Sequence, residues 1–431
     1  MHDTYGRFIV IRLLSFSALL ADFLTQAVAD TCPWQCTCTE FIHKTSAVGF
    51  EVSCNGRDLK LLPVFPRNTL TIDISGNKFT KIPTNFFPRL THLHSLWLDN
   101  NKIATIEPFS FRGMQNLEVV SIRNNKELNY LSKFSFSGLR YVHRLIITDN
   151  NISWIEKNAF YATAYVDTIA LYGNPIQELR PAAFNNLKYI QHFRLPVGIT
   201  TIIPGSFAGL SLVQDLTIES LNITLFRPDT FFNLTDITHL RIHDSAIHAL
   251  TTPRALAGME RINALIFGRC TIGEVGPQIF EEFDKVAKLQ FERNHFVKIQ
   301  ENFPGSLARV ADVVEFHEND ADCCSIDVDY VHRWQQLART SLVVSEFLHG
   351  IMCIAPKWVF EESLFTVNMS TLRNACSGAL DRQYQAELDG REKQRPALSE
   401  LYKAKNSCTL LLCEAFFILV SMLIVIMRPD V

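Results

Sequence analysis

Leu93-His94-Ser95-Leu96-Trp97-Leu98-Asp99-Asn100-Asn101-Lys102-Ile103 is one copy of a pattern that runs through most of this chain. The pattern is L-x-x-L-x-L-x-x-N, and it returns at steps of 23 to 25 residues from Leu70 to about Asn319. Its asparagine slot falls at Asn77, Asn101, Asn125, Asn150, Asn174, Gly198, Leu221, Ser245, Cys270, Asn294 and Asn319. A unit of that length cannot bury its apolar side alone, so it stacks on its neighbours into a solenoid. Within the quoted copy, Leu93, Leu96 and Leu98 are expected to point inward. Ser95, Trp97 and Asp99 alternate with them and point outward along a short strand. Each strand is expected to pair in parallel with the strand of the next coil. The slot asparagine then lies inside the following turn, where its amide satisfies backbone groups that would otherwise be buried unpaired. A phenylalanine returns ten residues after the slot at Phe111, Phe160, Phe184, Phe231 and Phe280, with Phe87 and Phe136 at or near that offset. This spine fills the convex side and accounts for part of the 32 phenylalanines in 431 residues.

Four slots depart from asparagine. Serine and cysteine, at Ser245 and Cys270, are small enough to fit, whereas Leu221 offers no hydrogen bond. A weakened asparagine ladder is therefore expected from Gly198 to Cys270, against the alternative of ordinary drift in a long array.

The cysteines bracket the repeats. One group is Cys32-Pro33-Trp34-Gln35-Cys36-Thr37-Cys38 with Cys54; the other is Cys323-Cys324 with Cys353 and Cys376. Such grouping points to disulfide caps in an oxidising compartment, and each group alone allows three pairings. Zinc is disfavoured there because Cys36-x-Cys38 is too close for the usual ligand spacing. C-P-x-x-C-x-C…C before the first repeat resembles the amino-terminal cap of extracellular leucine-rich repeat proteins. That family includes Toll ectodomains, Slit, the Nogo receptor and small leucine-rich proteoglycans. Cys323-Cys324…Trp334…Cys353…Cys376 resembles their carboxy-terminal cap, although the family usually has C-x-C where this chain has adjacent cysteines. The resemblance implies a horseshoe-shaped α/β solenoid of about eleven repeats. It would have a parallel concave sheet, an irregular or short-helical convex side, and disulfide caps at both ends. It also implies pairing Cys32 with Cys38, Cys36 with Cys54, Cys323 with Cys353, and Cys324 with Cys376. Each bridge would contribute about 2–4 kcal/mol. Cys270 reads as an inert buried thiol.

Residues 1–29 read as a secretory signal, with Arg7 and Arg12 before an apolar stretch and Ala27-Val28-Ala29 as the cleavage motif. The expected organisation continues with a cap at 30–69, repeats at 70–319, a second cap at 320–376 and a polar stalk at 377–408. Thr409 to Met427 is an apolar run long enough to cross a hydrocarbon core, followed only by the tail at 428–431. A single-pass anchor is favoured over a glycolipid signal because Asn406-Ser407-Cys408 abuts the run without a polar spacer. Glu414, within the run, is read as lying near the headgroups or as a group that pairs with another helix. Cys408 offers a disulfide-linked dimer as one further possibility. On this reading the tail is too short to hold a signalling domain.

The net charge is −3, and nothing in it suggests a nucleic-acid partner. No G-x-S-x-G, H-E-x-x-H, P-loop or G-x-G-x-x-G occurs, so neither an enzyme nor a cofactor is expected, and no metal ligands are assigned. His239 and His243 are four apart on a predicted strand and lack helical ligand geometry. They read as part of a solvated stripe. Sequons at Asn151, Asn222, Asn233 and Asn368 all fall outside the concave strands, leaving that face open if they carry sugars. The candidate ligand residues on the face are Trp97, Arg123, Tyr172, Arg194, Arg241 and His243. Arginines and histidines there suggest an acidic patch on the ligand. The family implies a cell-surface adhesion molecule or receptor subunit that binds a protein ligand or partner receptor. A secreted or shed matrix-organising protein and a decoy regulator of a signalling receptor are the alternatives.

Overall fold

The computed structural model describes residues 31–377 except 44–46, 88–89 and 164. The expected signal, the stalk from residue 378 onward, the apolar run with Cys413 and Glu414, the tail and Cys408 lie outside the described residues. Among the described residues no helix is long and apolar enough to cross a membrane.

Eleven parallel strands, from Thr69–Asp73 to Ala311–His317, form the concave sheet, one from each coil. The inward leucines drive this arrangement: Leu93, Leu96 and Leu98 are all fully buried, as are their counterparts along one continuous core. Opposite them, Phe111, Phe136, Phe160 and Phe184 stack at centroid spacings of 5.5, 5.3 and 6.3 Å. Phe207 and Phe231 extend the file. Coil eight interrupts it, with Ala255 and Leu256 buried at that station.

The slot asparagines sew successive coils together. Asn101 donates to the carbonyls of Ile74 and Leu98 and accepts from the Phe79 amide. Asn125, Asn150, Asn174, Asn294 and Asn319 make comparable bonds across coils. The residue before the slot is left-handed in most coils. At Gly173, with φ +70°, a side chain would also run 2.3 Å from the Asp149 carboxylate. Where asparagine is missing, other groups take over in part. The Leu221 amide donates to Ser245 Oγ, and the Cys270 thiol points to the carbonyls of Ile242 and Gly268. Burial pushes that thiol up to about 11, so it stays protonated and unreactive.

From coil seven onward the backbone also bonds more between coils. The concave strands lengthen from Ser95–Trp97 to Leu234–His243 and Met259–Gly268. On the other side, a second parallel sheet of six strands runs from Asn222–Leu225 to Ile351–Ala355. The convex side thus carries more strand than the irregular or short-helical path anticipated.

Both ends are closed. At the amino end, the antiparallel hairpin Thr37–Ile42/Val48–Ser53 lays its second strand in parallel beside Thr69–Asp73. The structure joins Cys32 to Cys38 and Cys36 to Cys54 across it. At the other end, helices Val328–Leu337 and Leu342–His349 cover the last coil. Phe347 meets Phe316 edge-on at 5.1 Å, and buried Trp334 donates from Nε1 to the Glu301 carbonyl at 2.7 Å. Cys323–Cys353 and Cys324–Cys376 tie these segments. The adjacent cysteines therefore serve two different partners.

Candidate binding face

Strand register places Asp73, Trp97, Ser121, Ile146, Ala170, Arg194, Thr217, Arg241, Ile266, Gln290 and Glu315 in one file across the concave sheet. Trp97 is half-buried in it between Asp73 and Ser121, while Tyr172 is exposed in the file beside it.

The charges of this face are mostly matched across coils. Arg194 bonds Glu219, and Arg241 bonds Asp215, which His192 and His239 also face at 3.1 and 3.0 Å. Burial raises the Asp215 carboxyl. Hydrogen bonding and charge from Arg241, with His239 and His192, outweigh that and leave it below the usual carboxylate range. Asp215 and Glu219 thus offset much of the basic character counted from the arginines and histidines. Among the described residues Arg123 and Arg144 form no ion pair and are the cations of this group left for an incoming anion.

His243 differs from its neighbours. Its ring lies over Gly268, where a β-carbon would come within 3.0 Å of it, so glycine is what admits the imidazole. Its Nε2 is buried without a partner, and burial, then the nearby Arg269, lowers its pKa. His295 shows the opposite shift, raised chiefly by its 2.5 Å hydrogen bond to Asp320. The two contribute to stability in opposite senses. A depressed imidazole pKa stabilises fully above the unfolded value of 6.5, and that contribution is lost as pH falls through the folded pKa. A raised one stabilises fully below 6.5 and loses its contribution as pH rises through the folded pKa. Ring-proton NMR titration, assigned with His243→Asn and His295→Asn, is expected to place His243 below and His295 above 6.5. The reverse order would contradict the burial assigned to His243.

A second feature lies along the leading edge of the strands. Tyr141, Tyr165 and Tyr189 follow one another at ring spacings of 6.0 and 6.0 Å, with Tyr141 and Tyr189 well exposed. They lead into an open groove of about 540 Å³ floored by Tyr165, Tyr189, Leu212 and Gln214 and flanked by the Asp236–Arg261 ion pair. None of these tyrosines is among the candidate ligand residues read from the sequence. The same register would have revealed them, since Tyr141, Tyr165 and Tyr189 recur at intervals of 24.

All four sequon asparagines are exposed and none lies in the eleven concave strands. Asn368 caps the helix Met369–Cys376 through Oδ1, which accepts from the amides of Ser370 and Thr371. Its amide nitrogen, the atom a glycan would use, is not part of that cap.

Six copies of a family described as BspA type leucine rich repeat region match residues 129–252, and a family described as leucine rich repeat matches 67–126 and 91–143. The chain is a leucine-rich repeat protein. Mouse oligodendrocyte-myelin glycoprotein is 27% identical to it over 222 residues, which cover 51% of this chain and 42% of that one. Leucine-rich repeat-containing protein 3 of Danio rerio is 31% identical over 140 residues, 32% of this chain and 49% of that one. The aligned stretch therefore spans less than half the length of either relative. Among solved structures, one of the Toll–Spatzle complex of Drosophila aligns at 17% identity and a TM-score of 0.46, covering 67% of this chain and 38% of that one. The four disulfides of this leucine-rich repeat protein fit an extracellular setting.

Proposed function

We propose that this leucine-rich repeat protein is a non-enzymatic recognition molecule of the cell surface, tethered by the apolar run 409–427, which binds a protein ligand across its concave face. The observation that carries the reading is the exposed tyrosine edge beside a largely charge-matched sheet. Tyrosine supplies large contact area at low entropic cost and is enriched where interfaces are energetically strong. Arg123 and Arg144 supply the free positive charge, which narrows the acidic complement on the ligand to coils three and four. Exposed sequons away from the concave strands support the same face, because glycans there would leave it uncovered.

A single substitution tests this. Ile146→Asn creates the sequon Asn-Ile-Thr in the concave file at coil four, ending at Thr148. Full-length protein and variant would be displayed on cells and stained intact. A panel of secreted and cell-surface proteins would then be screened for binding. Surface staining is expected for both, and the glycan is expected to abolish binding of whatever protein the parent captures. Binding undiminished when the new sequon is shown to carry its glycan would move the interface to an edge or the convex side. Protein found only in the medium would favour the secreted matrix reading.

A further inference from the structure

We propose that His43, His94 and Glu118 form a binding site for a divalent transition-metal ion of the zinc class, which pins the amino-terminal hairpin to the first coils. The three come from separate parts of the fold. His43 follows the first strand of the cap hairpin, His94 immediately precedes strand Ser95–Trp97, and Glu118 immediately precedes Val119–Ser121 one coil later. Their ligand atoms all lie within 4.8 Å of one another. The two imidazole rings sit 4.0 Å apart between centroids, and His43 Nε2 is 3.9 Å from Glu118 Oε2. Zinc bonds to nitrogen and oxygen of about 2.0–2.2 Å put tetrahedral ligand atoms roughly 3.4 Å apart. Small side-chain rotations therefore close the site without moving the backbone.

Two properties separate this cluster from an ordinary surface ion pair. First, His94 is only 8% exposed, and its Nδ1 is buried without a hydrogen-bond partner. A buried nitrogen left unpaired is costly, and a metal is one group that satisfies it. Second, Glu118 has a supporting partner outside the ligand group. His143 turns Nε2 toward Glu118 Oε2 at 3.8 Å, while its Nδ1 is held by Asp167 at 2.6 Å. Ligating carboxylates are commonly held in place by such outer partners. His143 thus stands beside Glu118, outside the three-ligand group. Two imidazoles and one carboxylate are a borderline nitrogen and oxygen set, suited to zinc rather than to calcium or magnesium.

The test is metal binding by the purified full chain. Equilibrium dialysis against zinc is expected to show one tightly held ion, and cobalt substitution should give the visible absorption of a four-coordinate centre. Glu118→Gln keeps the shape of its side chain, His43→Gln replaces the ring by a neutral polar chain, and both avoid the buried His94. Each is expected to weaken zinc binding by about tenfold or more. Zinc is expected to raise the melting temperature of the parent but not of these variants, whose metal-free melting should match the parent's. His192→Gln, at the other histidine and aspartate cluster, is the control and should leave zinc binding unchanged. Absence of zinc binding by the parent would overturn the proposal. So would binding undiminished in both Glu118→Gln and His43→Gln, or loss confined to His192→Gln.

Discussion

Phe160→Ala is expected to lower the unfolding free energy by about 3–5 kcal/mol, the range for deleting a fully buried aromatic ring. Phe160 is completely buried and stacked between Phe136 at 5.3 Å and Phe184 at 6.3 Å. Coils on both sides hold their own rings in register, so collapse into the vacated space would have to break the file, and the cavity remains. In a solenoid each coil contacts only its neighbours, so a weak coil also uncouples the halves it joins. Urea unfolding is expected to show an earlier midpoint, and hydrogen exchange should accelerate first around coils three to five. Phe160→Leu separates volume from aromaticity, because coil eight already uses Ala255 and Leu256 at this station and buries both. Its cost is expected to be well under that of alanine. A cost below about 1 kcal/mol for Phe160→Ala, within the range of ordinary substitutions, would show that the spine is not close-packed.

The coil-to-coil plan is legible in the sequence because one physical requirement repeats. Leu96 and its equivalents must face inward once per coil, so period alone fixes the strand, its direction and its neighbours. The ion pairs of the concave face were legible by the same rule and went unread. Asp215 pairs with His239 and Arg241, and Glu219 with Arg194, because residues 24 to 26 apart stand on adjacent strands. Counting charges along the chain made the middle of the face look basic; laying the coils beside one another matches most of those charges. Strand length was less accessible. Asn77-Lys78-Phe79-Thr80-Lys81-Ile82 and Asn294-His295-Phe296-Val297-Lys298-Ile299 share one apolar spacing, yet the first yields strand only at Lys81–Ile82 and the second from His295 to Ile299. Local pattern does not set that difference. His43 was invisible for another reason. It sits in the cap, outside the repeat register, and only the folding of the hairpin against the first coils brings it to His94 and Glu118.

Replacing the slot residue Asn125 by alanine is expected to cost about 3 kcal/mol, mostly through one orphaned amide. Asn125 is fully buried, accepts from the Ile103 amide at 3.2 Å, and donates to the carbonyls of Leu98 and Arg123. The two carbonyls keep other donors, Asn101 Nδ2 for Leu98 and the Asn100 amide for Arg123. The Ile103 amide has no replacement, and burial keeps water from it. Asn125→Leu is the sharper comparison, because it restores bulk without restoring the acceptor. If the slot asparagine acts through its hydrogen bonds, leucine should be as harmful as alanine; if it acts by filling space, leucine should recover most of the loss. Coil seven supplies the reason to expect the first outcome. Leu221 occupies the slot there, buried, yet nearby amides have other acceptors: its own amide uses Ser245 Oγ, and the Asn222 amide uses the Ile199 carbonyl. Its following strand, Asn222–Leu225, pairs through the backbone with Ala246–Leu250. Coil two has no strand directly after its slot, Asn101, so the Ile103 amide depends on the Asn125 side chain of the next coil. Thermal and urea unfolding of the three proteins would decide between bond and bulk. Equal losses for alanine and leucine at Asn125 would mean that a slot tolerates leucine only where the backbone has already satisfied its neighbours.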